Sequence, residues 1–270
     1  KTVGANLKNR NKLIKLESIK SNIDIKTFIN KKFSLSELDI TTRTIEIKNL
    51  ISFIRSIKDS PQIYILEKFV KKGYLIADIN LKFDQKGNIK DDFIIKGFIK
   101  DGEVKPLKKI NLSKINLIFN LQNNKFEFKD INLSYDNNDL NFPELNIKKQ
   151  KNKFLVSGKN NSKNLVLDNK KINQLLNIDF SNLKIKSAEF DLSNTFSFKI
   201  DNKYKIDDFK IDSLMNLKNS KVVSSKNLKE FFPELNDIIE LSDHQIEIEY
   251  KENFLSIIGN GNILIQKEKD

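Results

Sequence analysis

Apolar and polar residues alternate along most of this chain. Ile115, Leu117, Phe119 and Leu121 share one parity, and Lys114, Asn116 and Asn120 hold the other. That period of two is the pattern of a strand with one apolar face. After Asn123-Asn124 the alternation resumes at Phe126 and Phe128. A two-residue turn there sets Leu121 opposite Phe126, Phe119 opposite Phe128, and Asn120 opposite Glu127 on the reverse side. Phe196, Phe198 and Ile200 precede Asp201-Asn202-Lys203, and a three-residue loop aligns Ile200 with Tyr204. Ile246, Ile248 and Tyr250 face Leu255 and Ile257 across Glu252-Asn253. Leu75, Ala77, Ile79, Leu81 and Phe83 make a longer strand before the Gly87-Asn88 turn. Further strands are expected at 34–40, 44–48, 92–100, 153–158 and 262–266, about fourteen in all.

Helix is confined to a pair near 48–72. Leu50, Ile51, Ile54 and Ile57 form one stripe, which Pro61 stops; Ile63, Leu66, Phe69 and Val70 form a second, closed by Gly73. Short helical turns are expected at 170–176 and 226–232. Asn141-Phe142-Pro143-Glu144-Leu145-Asn146 is echoed by Phe231-Phe232-Pro233-Glu234-Leu235-Asn236, each followed by an apolar strand. This suggests a degenerate β repeat over about 141–159 and 231–259.

Composition narrows the chemistry. The 270 residues include one His, no Cys and eight Gly, which leaves no thiolate site, no Walker loop and no dinucleotide fingerprint. His244 has Asp243 as its neighbour and no third partner for a triad. Asp136-Asn137-Asn138-Asp139 looks superficially like calcium ligands but lacks the glycine and distal Glu of an EF-hand loop. The expectation is a non-enzyme with no cofactor and no metal. Net charge is +12, but Arg10, Arg43 and Arg55 are the only arginines and the lysines are spread among apolar positions. This disfavours nucleic acid as a partner and leaves a weak attraction to anionic lipid head groups. No apolar run reaches the roughly 18 residues of a membrane span.

A sheet with one oily face must stack, close or curl. The repeated hairpins favour a mainly β fold: an elongated, curved antiparallel sheet forming an open hydrophobic groove, one segment over 1–270 with the helical insertion at 48–72. About fourteen strands at about 4.8 Å each would extend roughly 65 to 70 Å. Such a trough suits acyl chains, since a sixteen-carbon tail leaving water is worth on the order of 12 kcal/mol. The candidate lining is Ile79, Leu81, Phe83, Leu117, Phe119, Leu121, Phe126, Phe128, Phe196, Phe198, Ile246 and Ile248. Aspartate at Phe119 would block an open groove but unfold a closed core.

The stretch 102–159 resembles the AsmA-like group of Gram-negative envelope proteins, with its YhdP and TamB relatives. The residues that carry this are Lys114-Ile115-Asn116-Leu117-Ile118-Phe119-Asn120-Leu121, Lys129-Asp130-Ile131-Asn132-Leu133, 140–147 and Phe154-Leu155-Val156-Ser157-Gly158, preceded by Ile45-Glu46-Ile47-Lys48-Asn49-Leu50. The resemblance implies membership of the bridge-like lipid-transfer superfamily, which includes chorein-type proteins. It implies a periplasmic segment that carries phospholipid acyl chains between inner and outer membrane, anchored to the inner membrane by a segment outside this chain. A start at Lys1 rather than Met fits such a middle piece. The alternative is a structural or adhesive β-solenoid, or a protein-interaction module, that moves no lipid.

Overall fold

The computed structural model describes residues 1–9, 11–29, 35–57, 60–107, 110–168, 184–201, 203, 205–223, 229–230, 233, 238–251 and 254–263. Among the described residues the chain is mainly β, with fifteen strands in an open antiparallel sheet. It divides into two compact units, residues 1–137 with 141–156, and residues 138–140 with 157–270.

In the first unit the order of elements is β1 (Thr2–Val3), β2 (Asn6–Asn9), β3 (Lys12–Ile23), α1 (Ile25–Ile29), β4 (Leu35–Thr42), β5 (Ile45–Glu46), α2 (Ile47–Ile57), α3 (Pro61–Phe69), β6 (Val70–Lys82), β7 (Ile94–Leu107), β8 (Ile110–Gln122) and β9 (Lys125–Tyr135). Strands β3, β4, β6, β7, β8 and β9 pair in that order. The hairpin expected around Asn123-Asn124 forms in the expected register, with Leu121 opposite Phe126 and Phe119 opposite Phe128. Asn124 makes its turn at φ 59°, a conformation Asn tolerates. The stretch that resembled calcium ligands is a hairpin turn, with φ 49° at Asp136 and 64° at Asn137.

The helical pair is present with shifted boundaries. The strand expected over 44–48 is only β5, and α2 begins at Ile47. Pro61 is the first residue of α3 rather than the end of α2; it needs no N–H donor there, and Ser60 Oγ caps the helix by accepting from Ile63 N. The second helix ends at Phe69, with Val70 already extended. Gly73 lies inside β6 at φ 134°, where a Cβ would stand 2.9 Å from Gly102 Cα. Close backbone approach, rather than helix closure, explains this glycine. Among the described side chains of α2, Ile51 and Phe53 are buried and Ile54 is exposed, and that of Ile57 lies outside them. Phe53 joins Ile14, Leu16 and Ile45 in the unit's buried cluster, against which Ile40 and Leu50 pack.

The strand β10 (Asn138–Gln150) follows β9, and the first copy of the suspected repeat is its middle. Strand β11 (Lys153–Asp168) belongs to the first unit as far as Val156, and its remainder lies in the second unit with β12 (Lys184–Asp201), β13 (Ile206–Val223), β14 (Ile238–Lys251) and β15 (Phe254–Ile263). The second unit's buried cluster is Leu165, Ala188, Phe190 and Leu217. Tyr250 opposes Leu255 and Ile248 opposes Ile257, as expected. Ile200 instead opposes Ile206, because the connection is longer than three residues and Asp201 N donates to Lys205 O. The strand expected at 262–266 is, as far as Ile263, the end of β15. The helical turn at 170–176, most of that at 226–232 and all of the second Pro-Glu-Leu copy except Pro233 lie outside the described residues.

Candidate functional site

Register places the apolar side chains of the first unit in continuous cross-strand rows. Ile40 opposes Ile79, Ile79 opposes Ile95, Ile95 opposes Leu121, and Leu121 opposes Phe126. A second row runs Ala77, Gly97, Phe119 and Phe128. A third runs Ile45, Leu75, Ile99 and Leu117. Leu81 pairs with Leu38, and Phe83 lies just past β6 in an isolated bridge to Ile89. The reverse face of the same strands carries Asp78, Lys96, Asn120 and Glu127 in one row. Charge and amide groups are satisfied there across strands: Asn120 Nδ2 donates to Glu127 at 2.9 Å, and Asn80 Nδ2 donates to Glu37 at 2.8 Å and Asp39 at 2.6 Å.

Of the expected lining residues in this unit, Phe119 is fully buried, 6% exposed, and the others are half-buried. Half-burial on a single sheet means that neighbours in a row shield each side chain's flanks while its outer surface stays accessible. Helix α2 lies on this face at its first strands, through Ile40 and Ile45. Among the described residues, β8 pairs with β7 on one side and β9 on the other. Because Phe119 is buried, an aspartate there would destabilise either architecture; Leu121 and Phe126 are the discriminating positions.

The rows turn on a line of bulges. Asp101, Lys114 and Asp130 sit at φ 52°, 51° and 51° inside β7, β8 and β9, and the register slips at each. Asn116 Nδ2 donates to Lys114 O and Asn132 Nδ2 to Asp130 O, the same two-residue reach on adjacent strands. Asp101 N donates to Asn116 Oδ1, and Asn141 Nδ2 to Asn132 Oδ1. Each bulge shifts the alternation by one residue, so Phe126 and Phe128 before it and Ile131 and Leu133 after it all lie on the apolar side.

In the second unit, Leu192, Met215 and Ile246 form one row, and Phe196, Ile211, Tyr250 and Leu255 another. Between them runs a polar-to-apolar row, Asn194, Ser213, Ile248 and Ile257. Phe196 stacks on Phe198 at 6.4 Å between ring centroids, Phe198 meets Phe209 at 6.4 Å, and Phe209 meets Tyr250 at 5.8 Å. Phe196, Phe198, Ile246 and Ile248, the expected lining here, are all half-buried. His244 opposes Leu217 inside β14, and its ring lies over Gly261, where a Cβ would meet His244 Cδ2 at 2.1 Å. A cleft of about 430 Å³ is walled by Ser193, Thr195, Asp212, Glu247, Glu249 and Ser256. These six belong to the opposite parity, but Asn194, Ser213 and Ile248 of the middle row also line the cleft. No group of three metal-ligating side chains occurs among the described residues.

Alternation found Ile79, Leu117, Leu121 and Phe126 but missed Ile95, Ile99 and Gly97. On β7, Phe98 interrupts the pattern by facing outward, 44% exposed, and Gly97 carries no side chain to mark the row. Phe209 and Ile211 were missed because the bulge at Asp208, φ 51°, changes the phase between Ile206 and Phe209.

The described strands define an open antiparallel β protein with apolar cross-strand rows in each unit, and in the first unit α2 packs on that side. Comparison with known protein families, curated proteins and solved structures finds no match to this chain. No helix among the described residues is long and apolar enough to cross a membrane.

Proposed function

We propose that this chain is a segment of a lipid-transport bridge of the AsmA-like kind, working in the periplasm between inner and outer membrane. Acyl chains slide along the apolar rows while head groups remain in water. The observation that carries this reading is the row Ile40, Ile79, Ile95, Leu121 and Phe126, five strands wide, whose members are half-buried on one face of an open antiparallel sheet. Transport of this kind asks for no catalytic group. A contiguous oily surface offsets the cost of exposing each methylene, about 0.8 kcal/mol, and the residues of the reverse face keep the sheet hydrated. Anchoring to the inner membrane belongs, in this reading, to a segment outside the chain.

Native mass spectrometry of the purified chain tests it. Phospholipid adducts are expected on the wild type. A clean protein mass across preparations would overturn the transport reading and favour a structural or protein-binding β module.

A further inference from the structure

We propose that copies of this chain associate head to tail, the β15 edge of one sheet pairing with the β1–β2 edge of the next. Among the described strands β1 and β15 end the sheet, with β2 following β1 along β3. An edge strand offers a row of backbone N–H and C=O groups to another strand, and β15 lacks the charges and prolines that ordinarily guard against this. Its ten residues hold no charge and no proline, in a chain that is 31% charged. Every other described strand of four or more residues holds at least one charge. Phe254 and Ile258 on one face, and Leu255 and Ile257 on the other, are 69%, 53%, 56% and 61% exposed. Leu255 ends a row whose inner members Phe196, Ile211 and Tyr250 are half-buried. It lacks the flank that a next strand supplies, and a strand shields both faces of an edge at once.

Charge selects the occupant. Beside β15, strand β14 carries Glu240, Asp243, Glu247 and Glu249 against Lys251. At the other edge, β2 and β3 carry Lys8, Lys12, Lys15 and Lys20 against Glu17. Two β15 edges would set acids against acids, and two β1–β2 edges lysines against lysines. One edge of each kind is complementary in sign, so the partner is a second copy in head-to-tail orientation. The faces agree as well. Glu247 opposes Ile258 and Glu249 opposes Ser256, away from the apolar rows. Asn6 opposes Lys15, away from the Leu7–Ile14 pair, and Lys8 shares the parity of Asn6. Antiparallel pairing that sets Leu255 and Ile257 beside Ala5 and Leu7 therefore brings Lys8 and Lys15 to the same face as Glu247 and Glu249. Such a heterologous contact does not close at two copies, and one strand per partner makes it weak. The contact does not depend on the transport reading: a monomer with phospholipid adducts would keep that reading and remove this one.

Sedimentation velocity on the intact chain tests this. At about 100 mM salt, screening within about 10 Å leaves the edge charges rather than the net +12 to decide the contact. The weight-average mass should then rise with protein concentration past that of two copies, and about 500 mM salt should weaken association about tenfold. Glu247→Lys with Glu249→Lys makes both edges basic, and Lys8→Glu with Lys15→Glu makes both acidic; all four side chains are exposed. Each double variant alone should stay monomeric, and an equimolar mixture of the two should associate again, which a folding defect in either would prevent. A monomeric wild type, a mass that stops at two copies, association unchanged by salt, a double variant that associates alone, or a mixture that stays monomeric overturns the proposal.

Discussion

The ring of Phe119 lies across Gly97 on the adjacent strand. A Cβ at residue 97 would stand 2.8 Å from Phe119 Cζ and 2.1 Å from Ile76 O, with no flexible atom to give way at the carbonyl. The glycine is what lets an aromatic ring lie flat in the middle of a half-covered face. Gly97→Val should therefore cost about 1–3 kcal/mol by overpacking, read as a lower urea midpoint. Gly259 ends the row of Leu192, Met215 and Ile246 but has nothing within 4 Å of its added Cβ, and Gly259→Ala should leave the midpoint unchanged. Equal effects at the two positions would remove the close-approach role given to Gly97.

Charges placed on opposite faces of the β8–β9 hairpin should separate lipid contact from folding. Leu121 and Phe126 are half-buried on the apolar side, whereas Ile118 is 51% exposed on the other. Leu121→Asp with Phe126→Asp should abolish phospholipid adducts and keep the β circular-dichroism signal. Ile118→Asp should retain both. Loss of adducts in Ile118→Asp would show that lipid does not distinguish the two faces.

Acid should loosen the reverse face. Lys218 beside Asp191 and Lys125 beside Glu127 hold those carboxyls below the ordinary carboxylate range, and the amides of Asn80 and Asn22 do the same for Glu37. Their folded pKa values are depressed, so the stability they contribute is whole above the unfolded value, about 4, and is lost as the pH falls through the folded values. The urea midpoint should hold between about pH 7 and pH 5 and then decline toward pH 3. Glu127→Gln should decline less steeply, and a midpoint that rises on acidification would contradict the assignment.

Much of this architecture was legible as parity. The Asn123-Asn124 hairpin was readable residue by residue because a short turn leaves one register that keeps Phe119 and Phe128 on the same side. The connection after Ile200 was misread because Ile206 rather than Tyr204 supplies the partner, and the parity of the next strand does not fix the length of the loop before it. Phe53 was missed in α2 because four aliphatic residues already satisfied a helical stripe, and only the position of Ile14 and Leu16 decides which edge of that stripe is inward. Whether the apolar face is covered was not legible at all. An open and a closed sheet share the same alternation, and only the half-burial of Leu117, Leu121 and Phe126 separates them.

The bulges leave defects of phase in the sequence that alternation alone did not flag, and they lead to the sharpest structural test. In β9 the order Phe126, Phe128, Ile131, Leu133 skips from even to odd at Asp130. Asp130 absorbs the skip at φ 51°, which costs a residue with a Cβ about 1–2 kcal/mol. Its carbonyl is held by Asn132 Nδ2 at 3.1 Å. Asp130→Gly should therefore be neutral or mildly stabilising, since glycine adopts that conformation freely. Asp130→Val should cost about 1–2 kcal/mol through its branched Cβ. Deleting Asp130 is more severe: with the extra residue gone, Ile131, now 6% exposed, either turns to the polar side or slips the pairing of β8 with β9, and every apolar residue beyond it changes face. The deletion should leave no cooperative urea transition, whereas the glycine variant keeps one. A deletion variant that unfolds like the wild type would show that the bulge does not set the phase of this face.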